Sequence, residues 1–314
     1  MNGVLFIFVG EFSYAMNWIA PLIHERFQQL NNVKKIVVSY AAHEMIYRHF
    51  CDEFIALPVE ITDKLCYTCP MGDGKFGYIT PDFVIEYSRK LYPNADIMTL
   101  PRLDGYANQA SPPGIYEHLS PSDKVKQEID IFLEGFDKDC TVTIMPKIRT
   151  RPDVDEVLDL KNDSVHGQNW DLNSWVDMVK NLIKDGYNVV SMFMKNEYLR
   201  GGSLSLPIEH PNFREFNVDL TSNYALDQQV WLLKSTLCSI YGSTGAHNIP
   251  FWVGTPVCAL IHSNYYQRSF FEWQKKLTNN HINNKIISIE DFFECNYNDI
   301  YGDIIDYINR RREL

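Results

Sequence analysis

The sequence has no surplus of positive charge: 29 Lys and Arg stand against 40 Asp and Glu, a formal net charge of −11 at pH 7. Gripping a phosphate backbone takes clustered cations, so broad contact with nucleic acid is excluded. There is no apolar run near the ~20 residues that a bilayer-spanning helix needs. The amino terminus also lacks the basic flank and small-residue cleavage site of a signal peptide. The expectation is a cytoplasmic protein with no transmembrane segment. Cysteine is sparse as well, seven scattered residues, an odd number that argues against a disulfide framework and for reduced thiols. Cys66 and Cys69 form one CxxC, but no second Cys or His pair follows at zinc-ligand spacing, so no metal site is expected. Two phosphate-binding signatures are missing too: no Gly-Lys-Ser/Thr occurs, and no GxGxxG follows the first apolar run.

What is there is a chain of 314 residues, 45% hydrophobic and 22% charged, which suits two globular domains. Val4-Leu-Phe-Ile-Phe-Val9 is continuously apolar, as in a parallel strand covered on both faces. Trp18, Ile19, Leu22, Ile23 and Phe27 then recur at helical spacing, Lys35 to Tyr40 reads as a strand, 41 to 49 as a helix and Glu53 to Pro58 as a third strand. A segment rich in Gly, Pro, Asn and Tyr runs from Asp63 to Ser122, with one helix expected from Pro81 to Leu91; such a stretch is either a recognition element or decorated loop. After a charged helix from Ser122 to Leu133, a second alternating series begins at Cys140-Thr-Val-Thr-Ile-Met145. Helix Asn173–Lys184, strand Tyr187–Phe193, a short helix Leu226–Leu233, and strands Thr236–Tyr241 and Val257–Ile261 follow. The last helix, Ile300 to Ile308, ends in three arginines that suit the negative end of its dipole. The predicted fold is α/β, two Rossmann-like domains facing across a cleft, spanning residues 1–137 and 138–314.

Between two of these strands lies Gly242-Ser-Thr-Gly-Ala-His-Asn248, a strand-turn-helix junction with two glycines, two hydroxyls and a histidine. In an open α/β sheet such a turn offers backbone N–H groups at the carboxyl edge, which is an anion site. Gly242 and Gly245 permit close approach, while Ser243, Thr244, His247 and Asn248 supply polar groups. The alternative is a tight turn with a capping hydroxyl and no ligand.

"STLCSIYGSTGAHNIPFWVGTPVCALI" resembles the nucleotide-sugar motif of the heptosyltransferase-like GT-B glycosyltransferases, in which a strand ends in Asp-Thr/Ser-Gly-Pro-Met-His and a second strand begins after Gly-Thr-Pro. "QNWDLNSWVDMVKNLIKDGYNVVSMF" and "FNVDLTSNYALDQQVWLLKSTLCSIY" resemble the family's preceding segments, so the likeness covers about residues 140 to 262. The chain departs from the pattern at Ser243, where the family has an acid, at Ala246-His247-Asn248, where it has Pro-Met-His, and at Gln168, where it has Lys.

The resemblance implies transfer of a sugar from a nucleoside diphosphate to an acceptor hydroxyl on a glycan or glycolipid, with neither metal nor cofactor. The diphosphate would lie on Gly242, Ser243, Thr244, Gly245, Ala246, His247 and Asn248. Lys147 and Arg149 form a basic strip past the strand ending near Met145, where they either neutralise phosphate or simply flank the strand. Glu197 is the candidate for the donor ribose. Glu11 stands where the family places its general base, the alternative being a helix cap. Two other functions share the predicted fold: a nucleotide- or glycan-binding protein without turnover, and a nucleotide-sugar epimerase.

Overall fold

The computed structural model describes residues 3–10, 15–65, 80–98, 119–148, 170, 172–193, 202–203, 205–242, 248–262, 284–290 and 295–313. They form two compact units, one of residues 1–119 and 220–227, the other of residues 120–219 and 228–314. Residues 120–137, which the sequence reading sets before its junction, cluster with the second unit. Helix α5 (Asp123–Phe132) ties them there. Trp231 donates its indole N–H to Asp130 at 2.8 Å, and the Arg214 guanidinium donates to the carbonyls of Phe132 and Glu134. Those carbonyls lie where a helix end leaves acceptors unsatisfied and a cation suits the dipole.

The first unit holds a four-stranded parallel sheet in the order β3-β2-β1-β4, with β1 Gly3–Ile7, β2 Lys34–Ser39, β3 Glu53–Ala56 and β4 Ala95–Met98. A π-helical turn at Ala15–Ile19 leads into α1 (Ala20–Gln28), where Pro21 occupies the first turn, the place where a missing N–H costs nothing. Helices α2 (Glu44–Tyr47), α3 (Val59–Leu65) and α4 (Asp82–Leu91) belong to the same unit. Leu5, Ile7, Ile36, Val38, Leu57 and Val84 form a core on one face of this sheet. The apolar runs expected as covered strands are therefore covered. β4 was not predicted.

The second unit holds a six-stranded parallel sheet in the order β12-β11-β10-β5-β7-β9. Its strands are β5 Thr141–Met145, β7 Asn188–Phe193, β9 Phe213–Asn217, β10 Cys238–Tyr241, β11 Val257–His262 and β12 Lys285–Ile289. A short antiparallel pair, β6 (Lys147–Ile148) with β8 (Gly202–Ser203), lies beside it in sequence. Counted from β5, the sheet reads 3-2-1-4-5-6, the doubly wound order, and the sheet of the first unit repeats its opening 3-2-1-4.

Helix α6 (Leu172–Lys184) buries Trp175, Met178, Val179 and Leu182 at the expected spacing. It stops at Gly186, whose φ of +91° requires glycine: the Gly186 N–H bonds the Ile183 carbonyl and the Tyr187 N–H bonds that of Leu182, the paired bonds of a Schellman cap. Helix α9 (Tyr297–Arg312) starts at Asn296, which caps the Asn298 N–H at 3.0 Å, and buries Ile300, Ile304, Tyr307 and Ile308 in the same core. Its three arginines occupy the last turn, as the sequence reading has them, with Arg311 lying over the Tyr307 ring. Among the described residues no helix is long and apolar enough to cross a membrane.

Candidate functional site

Open α/β sheets bind ligands outside the carboxyl ends of their strands, where the winding direction reverses. In the second unit that point lies between β5 and β10, whose last residues, Met145 and Tyr241, are paired in register. Gly242, directly after β10, and Pro146, directly after β5, are both buried. The turn singled out in the sequence, which α7 (Ala225–Lys234) and β10 precede, therefore leaves the sheet at its switch point and is followed by α8 (Asn248–Val253). Because α8 has only six residues, it has little summed macrodipole to offer an anion.

The Gly-Thr-Pro that closes the motif has a structural task. Gly254 takes φ +77°, and nothing lies within 4 Å of where its Cβ would be, so backbone conformation alone demands glycine. Thr255 sends its N–H to the Pro250 carbonyl at 2.9 Å and its buried hydroxyl to the Leu233 carbonyl at 3.0 Å. The Pro256 carbonyl accepts the Ser239 N–H at 2.9 Å, which binds the entry of β11 to β10. Together these bonds set where the chain re-enters the sheet after α8.

Of the predicted site residues, Gly242 lies at the switch point, Asn248 opens α8, and Lys147 begins β6 two residues past the end of β5. Gly242 and Lys147 thus follow neighbouring, paired strands at the same sheet edge. Glu11, Ser243, Thr244, Gly245, Ala246, His247, Arg149 and Glu197 lie outside the described residues. Tyr241 is a feature the sequence reading passed over. Its side chain is fully buried, its hydroxyl has no hydrogen-bond partner among the described residues, and burial pushes the phenol pKa up. No local motif marks it.

At the carboxyl edge of the first unit, β1 runs two residues past its ladder on side-chain support. Ser39 donates its hydroxyl to the Phe8 carbonyl at 2.7 Å, and Tyr40 donates to the Val9 carbonyl at 3.1 Å. The Ser39 oxygen lies 3.0 Å from Nδ1 of His43. Since the hydroxyl proton is committed to Phe8, that oxygen accepts, and His43 carries its proton on Nδ1. Burial pushes the His43 pKa from 6.5 down to about 3, so the ring is neutral.

An unfolded chain, with its histidine near the ordinary value, takes up this proton first as the pH falls. Stability from His43 is complete above about pH 6.5 and drains away as the pH drops towards about 3. Between pH 7.5 and 5 the wild type is expected to lose ~2 kcal/mol that a His43→Gln variant does not lose. Urea unfolding at both pH values measures the difference; parallel losses in the two proteins would refute it.

Among the described residues, no group of three or more His, Cys, Asp or Glu side chains is placed to hold a metal ion. No protein-family model matches the chain, and no curated protein matches its sequence. Solved structures do match it. The Escherichia coli ADP-heptose LPS heptosyltransferase II is 12% identical, with a TM-score of 0.55 over 98% of this chain and 99% of that one. A glycosyl transferase family 9 structure from Veillonella parvula DSM 2008 is 12% identical, with a TM-score of 0.55 over 98% and 96%. The E. coli heptosyltransferase WaaC, solved with ADP, is 10% identical, with a TM-score of 0.51 over 98% and 100%. Identity this low speaks for architecture alone, and the architecture is the α/β, GT-B fold of the heptosyltransferases.

Proposed function

We propose that the protein is a glycosyltransferase that moves a sugar from a nucleoside-diphosphate sugar to a hydroxyl of a glycan or glycolipid, using no metal and no cofactor. The observation that carries this reading is the strand order of the second unit, which sets Gly242 and the start of α8 at the β5/β10 switch point of a fold shared with heptosyltransferases. One of those structures holds ADP. In this reading the amides of residues 242–248 receive the diphosphate, Lys147 and Arg149 neutralise it, and Glu197 takes the ribose. The acceptor oxygen attacks the anomeric carbon, Glu11 accepts the proton, and the bond to the diphosphate breaks. Fixed N–H donors and cations stabilise the charge that gathers on the leaving group, which is the work a metal would otherwise do.

The test is nucleotide binding. ADP, UDP and GDP are added singly while thermal unfolding is followed. At a hundredfold excess over its dissociation constant the cognate nucleotide is expected to stabilise the protein by ~2.7 kcal/mol, a clear rise in Tm. Gly245→Asp sets a carboxylate among the amides meant for an anion and is expected to abolish the rise. Silence towards all three nucleotides would overturn the proposal.

A further inference from the structure

We draw no further inference here: the strongest candidate, the buried Tyr241 side chain at the end of β10, whose hydroxyl has no hydrogen-bond partner among the described residues, lies at the β5/β10 switch point and so belongs to the site already described.

Discussion

Replacing Arg48 with methionine is expected to cost ~3–5 kcal/mol, because it strands a carboxylate that has no access to water. Asp227 is fully buried, and its two oxygens accept the Arg48 guanidinium nitrogens at 2.7 and 3.1 Å. The pair joins positions 179 apart in the chain, and both residues belong to the first unit. Two parallel N–H bonds to a carboxylate are the geometry that lysine cannot reproduce, so Arg48→Lys is expected to recover only part of the loss. The cost of the single change reflects the abandoned charge more than the worth of the bridge. The double variant Arg48→Met/Asp227→Leu therefore removes the charge together with its partner and is expected to regain most of the stability. Hydrogen exchange at the amides of β1 and β2, followed against urea, reports the first unit directly. A single-variant loss below ~1 kcal/mol would show that the Asp227 carboxylate finds another partner.

That pair also marks a limit on what the sequence discloses. Residues 220–227 cluster with a unit whose other members end at residue 119, and no local pattern in Leu220–Asp227 says so. Elements whose physics is local were legible. β1 is an unbroken apolar run and β2, β5, β7 and β11 are built around apolar cores because both faces are covered, and α6 and α9 show helical spacing because one face is. The strands that escaped were the two-residue β6 and β8 and, in the parallel sheets, β4, β9 and β12, which lie at sheet margins as the strand orders show; of the margin strands only β3 was read. β4 carries Asp96 and β9 carries Arg214 and Glu215, all charges a margin tolerates; Arg214 is used to close α5, and Glu215 accepts from the Ser205 hydroxyl and the Leu206 N–H. β12 reads Lys-Ile-Ile-Ser-Ile, five residues with no punctuation to separate them from a loop. The candidate site divides in the same way. A strand followed by Gly-Ser-Thr-Gly can be seen in the letters, whereas the bonds from Ser39, Tyr40 and His43 exist only because the register sets Ile7 beside Val38, with Ser39 the next residue. The structural use of Gly254-Thr255-Pro256 likewise appeared only once the Leu233 and Ser239 partners were known.

Glu11→Gln separates turnover from binding and carries the largest rate effect expected for this chain. Glutamine keeps the size of the side chain and its capacity to accept a hydrogen bond, but it cannot take the acceptor's proton at neutral pH. A positioned general base contributes about 10²–10⁴-fold, so sugar transfer is expected to fall by that factor. Nucleotide-induced stabilisation should survive, because the amides proposed for the diphosphate belong to residues 242–248 in the second unit, while Glu11 belongs to the first. Gly245→Asp should show the opposite pattern, losing binding and with it transfer. The two variants therefore assign donor and acceptor chemistry to different halves of the chain. Other functions of this fold give other patterns: an isomerised donor with no acceptor consumed would identify an epimerase, and nucleotide binding without turnover in the wild type would identify a binding protein. Transfer that persists in Glu11→Gln at the wild-type rate would show that the base is elsewhere, and that β1 delivers something other than a proton acceptor.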